Sequence, residues 1–253
     1  MTVARFLEGL VAEAQIDAEM LTRVGTTVVG REDRAGSGVV VCYWAGEHTL
    51  VWADPEVIDR IGSMNDGSTA RPLAEVTDTL TAGGFDLLAT ADMRVLSGPP
   101  VQPARIPKGY NHRWLTTADA DVALVKAFAD RSDPVDVEEA ALDELDNFDE
   151  TAINVLTAAD DPVGETLLAY GSACDWDWDP LFGDIGVLVD PEHRKAGLGR
   201  LVVAHTTQQL VTEGRIPLYR HGRHNLGSMG IAVGLGFEVA TTLAYFTSPT
   251  SGD

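Results

Sequence analysis

The stretch Gly186-Val187-Leu188-Val189-Asp190-Pro191-Glu192-His193-Arg194-Lys195-Ala196-Gly197-Leu198-Gly199-Arg200-Leu201 constrains the fold of this chain more than any other. A strand is predicted to end at Val189, Pro191 turns the chain, and a glycine-bearing loop opens a helix over 198–213. That helix carries an apolar stripe of Leu201, Ala204, Leu210 and Val211 and is closed by Gly214. The start of such a helix offers several backbone N–H groups with no internal partner, and the helix dipole adds positive potential. Glycines let a bulky anion come close to the backbone, and Arg194 and Lys195 add full charges at the same place. These features together predict a pyrophosphate site.

Two common phosphate loops do not fit. There is no Gly-Lys-Ser/Thr, which removes the nucleoside-triphosphate loop. The third glycine of the dinucleotide fingerprint is also missing, and no strand ending in an acid follows. Downstream, however, Asn225-Leu226-Gly227-Ser228 is followed by Ile231-Ala232 and by Leu235-Gly236-Phe237.

Val-x-Val-x-Pro-x-x-Arg-x-x-Gly-x-Gly, followed after one helix and one strand by this second motif, resembles the GNAT acyltransferase superfamily. The resemblance covers about residues 183–246 and reaches back to about 110. It implies an α/β (α+β) fold in which a mixed central sheet is flanked by helices, with acetyl-coenzyme A as cosubstrate. By the same resemblance Val187, Leu188 and Val189 splay from the next parallel strand and face the acyl and pantetheine groups. Arg194, Lys195, Ala196, Gly197, Leu198 and Gly199 wrap the pyrophosphate, and Asn225 and Ser228 face the pantetheine arm. The implied activity is transfer of an acetyl group to a small amine or a peptide amino group, by direct attack in a ternary complex. The second motif departs from the family where many members carry a Tyr, a general acid for the leaving thiolate. Ala232 stands there instead. Tyr219 and Tyr245 are the candidate replacements, and Tyr245 is taken with Asp184 as the catalytic pair. Asp184 lies where some relatives hold an acid, with Asp175, Asp177 and Asp179 as alternative carboxylates at the mouth. The loss of the Tyr leaves open a second class, a non-catalytic acyl-coenzyme A sensor.

Charge bears on partners. The net charge of −21 argues against nucleic acid, because phosphate binding needs a basic face. Residues 132–193 hold 18 acids and no Lys or Arg, whereas 194–223 hold six basic residues against Glu213 alone. This reversal predicts an anion-binding end beside a surface suited to a cationic amine. No apolar run approaches the roughly 20 residues needed to cross a bilayer, and residues 1–10 do not read as a secretory signal. A cytoplasmic enzyme with no membrane partner is expected, with Cys42 and Cys174 as buried free thiols.

The proline-rich stretch Pro99, Pro100, Pro103, Pro107 suggests a linker, dividing the chain into 1–105 and 106–253. The first part reads as a smaller α/β domain, a degenerate copy of the same fold without the phosphate loop, suited to covering the acceptor cleft or an oligomer surface. Strands are predicted over 39–44, 48–53, 85–90 and 93–96, and helices over 4–14, 17–23, 57–61 and 70–81. In the second part strands are predicted over 113–115, 152–157, 165–173, 184–189, 216–219 and 239–246. Helices are predicted over 119–128, capped by Thr117 or Asp119, and over 135–145, 198–213 and 225–235. His193 and His205 flank the loop, and His221-x-x-His224 lacks a third metal ligand, so no metal is expected.

Overall fold

The computed structural model describes residues 2–61, 73–116, 118–140, 142, 152–161, 166–176 and 178–248. In chain order the elements are α1 (Thr2–Glu13), β1 (Gly25–Gly30), β2 (Val39–Ala45), β3 (His48–Ala53), α2 (Ile58–Ile61), α3 (Leu73–Ala82) and β4 (Asp86–Leu96). There follow β5 (Tyr110–Trp114), α4 (Asp119–Asp130), α5 (Pro134–Glu139), β6 (Ala152–Ala158), β7 (Leu167–Asp175) and β8 (Phe182–Val189). The chain closes with α6 (Leu198–Thr212), β9 (Ile216–Gly222), α7 (Leu226–Gly234) and β10 (Phe237–Thr247). They form two compact units, one of residues 1–94, 222–224 and 239–253, the other of 95–221 and 225–238. The units therefore do not follow a single cut near residue 106. Most of β10 belongs to the first unit because it pairs antiparallel with β2, from Thr242 opposite Trp44 to Thr247 opposite Val39.

In the first unit the strand order is β1-β3-β2-β10-β4. β2 and β3 form a hairpin around Gly46, whose φ of +64° is open to glycine at little cost. β3 is buried along its whole length, which explains its apolar run with no alternation. Asp54 starts the following turn by accepting from the Glu56 N–H. The core of this unit gathers Val40, Cys42, Val51, Val76, Leu80, Phe85 and Phe246. β4 corrects the expected strand pair. Asp92 reads as a break, yet the strand runs straight through it because Thr242, Arg94 and Arg223 hold its carboxylate.

In the second unit the order is β9-β8-β7-β6-β5. α6 packs on one face through Leu198, Leu201 and Val202, and α4 and α5 on the other through Val125, Phe128 and Ala140. The start of α4 also departs from expectation. Ala118 is the N-cap and makes no side-chain cap bond, while buried Asp121 reaches back to the Thr116 N–H and pairs with Arg113. Thr117 lies outside the described residues, as do parts of the helices expected over 70–81 and 135–145.

Candidate functional site

β8 meets its two neighbours differently. Against β7 it pairs antiparallel from Gly183, opposite Asp175, to Val189, opposite Ala169. Against β9 the parallel pairing covers only Phe182, Gly183 and Asp184, opposite Ile216, Pro217 and Leu218. Beyond these residues the strands part and leave a fork. The Leu181 carbonyl accepts from the Ile216 N–H on the β9 side, and the Asp190 N–H donates to the Leu168 carbonyl on the β7 side. Main-chain groups alternate in direction along a strand, so odd-numbered residues here address β9 and even-numbered ones β7. Val187 and Val189 thus direct their main-chain groups into the fork. Leu188 is a correction: its main chain serves β7, and its side chain is buried in the α4–α5 core.

The loop after β8 is shaped by its backbone. Lys195 has φ +66° and Gly197 φ +81°, both left-handed. Gly197 is the N-cap of α6 and offers no side-chain cap, so the first N–H groups of the helix meet no capping oxygen from it. A Cβ at Gly197 would meet nothing within 4 Å, so its glycine answers to the backbone conformation rather than to crowding. Gly199 differs: a Cβ there would stand 3.0 Å from Ile231 and 3.1 Å from Val189, so it lets α6 sit tightly against α7 and β8. Lys195, Ala196 and Gly197 are exposed, while Leu198 is a core side chain at 1% exposure. Leu198 can therefore offer a ligand only its backbone. Arg194 is half tied down, donating to the Val189 carbonyl at 3.3 Å and to Asp136 of α5 at 2.6 Å.

α7 begins at Asn225, whose side chain caps the helix by accepting from the Ser228 N–H at 3.0 Å and donates to Glu139 at 2.7 Å. Asp136 and Glu139 sit three residues apart on α5, so one short acidic helix touches both the phosphate loop and the α7 cap. Sequence reasoning missed them both. The only signal available was their i, i+3 spacing after Asp133 and Pro134. Ala140 continues this contact, since its carbonyl occupies the space that a Cβ at Gly186 would need.

Asp184 is buried at the end of the paired region, 3.4 Å from the Arg220 guanidinium. Tyr219 follows Leu218, the last paired residue of β9, and is 1% exposed. Burial pushes its phenol up to about 12; a hydrogen bond with Ser228 is the next-largest influence and lowers it, and Glu139 and Asp184 raise it by less. Ser228 is thus the group that engages the hydroxyl, though no partner among the described residues meets strict hydrogen-bonding geometry. Ala232 is buried in the same cluster as Tyr219, with Leu235 and Phe237. Tyr245 lies in the first unit, on β10 opposite Val41. The second unit thus brings Asp184, Tyr219 and Ser228 together without Tyr245.

The acidic mouth is less free than its formal charge implies. Asp175 is ion-paired with Arg215, and Asp179 accepts from the Leu181 N–H at 3.1 Å in a turn. Asp177 lies outside the described residues. His193 contacts Asp190 of its own turn at 3.3 Å. His205 is not at the loop but stacks on His112 of β5, with ring centroids 4.0 Å apart. His221 is buried on β9, and no group of three or more potential metal ligands occurs among the described residues. Nor is any helix among them long and apolar enough to cross a membrane.

Residues 163–246, a third of the chain, match the family model described as FR47-like protein. Among solved structures, a tandem GNAT protein from the clavulanic acid biosynthesis pathway aligns with a TM-score of 0.51 at 17% identity, over 74% of this chain and 62% of its own. A GCN5-related N-acetyltransferase from Sphaerobacter thermophilus gives 0.50 at 14% identity, over 68% of this chain and 55% of its own. A Drosophila protein gives 0.50 at 16% identity, over 99% of this chain and 89% of its own. The chain thus spans less than two thirds of the first two proteins. No match was found among curated protein sequences.

Proposed function

We propose that this chain, which has the GNAT fold, transfers an acetyl group from acetyl-coenzyme A to an amine within a ternary complex. The observation that carries the reading is the fork between β8 and β9, which opens beside the uncapped, glycine-bearing start of α6. The main-chain groups of Val187 and the N–H of Val189, directed into the fork, suit an extended amide-bearing arm. The first N–H groups of α6, with Lys195 and the remaining reach of Arg194, suit a diphosphate. When bound, acetyl-coenzyme A supplies a thioester carbonyl and a thiol leaving group.

The protein's own task is then to hold the amine and manage its proton. A primary amine of pKa about 10.4 must shed a proton to attack, which costs roughly 4–5 kcal/mol at pH 7. Asp184, at the point where the strands part, is the proposed acceptor of that proton. A cationic acceptor remains our expectation from the acid-rich stretch 132–193. Because Asp175 and Asp179 already have local partners, less of that attraction comes from the loop after β7 than its count of acids implies.

Two observations favour a second reading, binding without turnover. Ala232 places no proton donor on α7, and Asp184 is engaged by Arg220. A thiol-release assay against a panel of amines, run beside calorimetry with acetyl-coenzyme A, separates the two. Release that depends on an amine is the expected result. Tight binding with no release across the panel would leave the sensor reading in its place.

A further inference from the structure

α5 bridges the two walls of the fork. Asp136 accepts from Arg194, on the loop after β8, at 2.6 Å. Glu139, three residues on, accepts from the Asn225 side chain at the start of α7 at 2.7 Å. Between these contacts the helix presses on β8 itself, since the Ala140 carbonyl fills the space that a Cβ at Gly186 would need. Side chains alternate along a strand, and Leu188 packs in the α4–α5 core, so Gly186 and Asp184 share the sheet face on which α5 lies. The acids of α5 are placed against local preference. Glu138 and Glu139 stand in its last turn, the end where a helix dipole disfavours acids, and that turn holds no base. The groups that Asp136 and Glu139 engage are the two set against the cofactor, Arg194 towards the diphosphate and Asn225 towards the pantetheine arm.

We propose that Asp136 and Glu139 form the binding site for the ammonium group of the amine substrate, and that the cofactor opens this site by drawing Arg194 and Asn225 away from them. The proposal rests on the acyltransferase reading. Without cofactor, the Arg194 guanidinium offsets the charge of Asp136, and the Asn225 amide satisfies an oxygen of Glu139. A diphosphate at the loop competes for the guanidinium, and an amide carbonyl of the pantetheine arm competes for the Asn225 N–H. Two carboxylates three residues apart on one helix are neighbours on its surface, and each then loses the group that now holds it. A primary ammonium brings one positive charge and three donors, which suits it to bridge them. No Lys or Arg between residues 132 and 193 stands to compete for that place. Asp136 and Glu139 are binding groups here, and removal of the proton stays with Asp184 on the same face of the sheet. Cofactor and amine are therefore coupled: whatever factor the first adds to the affinity of the second, the second adds to that of the first.

Calorimetry on the whole chain tests both halves. The probes are coenzyme A, which binds without reacting, and the amine of the panel that gives the fastest thiol release. In the wild type the amine should bind the loaded protein on the order of tenfold more tightly than the empty one. Asp136→Asn and Glu139→Gln keep the shape of each side chain and should melt close to the wild type, since exposed pairs add little stability. Each should bind coenzyme A several-fold more tightly, because its partner is released more easily. Each should also bind the amine several-fold more weakly in the loaded protein, and in the double variant the coupling should vanish. The opposite signs separate this role from a structural one, in which a disturbed α5 would weaken both ligands together. Equal amine affinity with and without coenzyme A in the wild type would overturn the proposal. So would a fall in both affinities in the variants, or a coupling that survives in the double variant. With thiol release intact in the wild type, any of these results leaves the acyltransferase reading standing. Coenzyme A binding with no release for any amine would overturn that reading, and the proposal with it.

Discussion

Acid should weaken the second unit through a pair of stacked histidines. His112 of β5 and His205 of α6 lie with ring centroids 4.0 Å apart and planes 22° from parallel. His112 bonds Asn154 at 3.2 Å, and Asn154 in turn donates to Thr206 at 2.7 Å and to the Gly171 and Val202 carbonyls. Since the Asn154 amide is spent as donor, its oxygen accepts, and His112 carries its proton on Nε2. Burial, then the neighbouring His112, lower His205 from 6.5 to about 4, and burial lowers His112 as well. Both groups are therefore neutral when folded, while the unfolded chain takes up protons from about pH 6.5 downward. Stability is complete above that pH and is lost as pH falls from about 6.5 towards about 4. For His205 the two values correspond to about 3 kcal/mol, and about 2 after allowing for solvent screening of a half-buried ring. His205→Phe keeps a stacked ring and removes the titration, at no cost in hydrogen bonding at Nε2, which has no partner among the described residues. Urea unfolding of both proteins from pH 7.5 to 4.5 isolates the pair, since carboxylates such as Asp33 and Asp121 contribute equally to each. The variant should gain about 2 kcal/mol on the wild type across that range. A difference that stays constant with pH would refute the reasoning.

Two further outcomes concern the loop. Gly197→Glu should bind no acetyl-coenzyme A, because its side chain would enter open space at the anion site; backbone strain at φ +81° should lower stability by only about 1–2 kcal/mol. Calorimetry and thermal melts of the one variant read both effects. Asp136→Asn should raise affinity for acetyl-coenzyme A several-fold, since Arg194 is freed from a competing carboxylate, while losing less than about 1 kcal/mol of stability. Unchanged affinity in calorimetry would mean that Arg194 does not reach the ligand.

Local signals carried most of the element pattern, and pairing between distant segments was what they missed. β2 and β3 were legible because both strands and their turn lie within fifteen residues, and α6 because its stripe repeats at helical spacing. β1 was overlooked: Gly25–Gly30 is short, glycine-bounded and weakly apolar, and what makes it a strand is parallel pairing with β3 across a hairpin. β4 was split at Asp92 for a related reason, since two of the groups that hold this carboxylate, Thr242 and Arg223, lie far along the chain. The last strand read as the end of the second domain because nothing local says that it pairs with β2.

The site divides in the same way. Its anion end was readable because a glycine loop entering a helix needs no distant partner to expose its N–H groups. Even there the two glycines serve different ends. Gly197 supplies a left-handed backbone, and Gly199 a close approach of α6 to Ile231 and Val189. The reactive end depends on which side chains distant strands bring to one place. A tyrosine three residues from the end of one strand and a tyrosine two residues from the end of another look alike in sequence. Only the register of β8 on β9 separates them, by setting Tyr219 one residue past the last pair and beside Asp184. The same register decides that Val187 and Val189 face the fork while Leu188 serves β7. A one-residue slip would reverse both assignments. In this fold the chemistry of the fork is thus fixed by strand register, and the charge of the loop by composition.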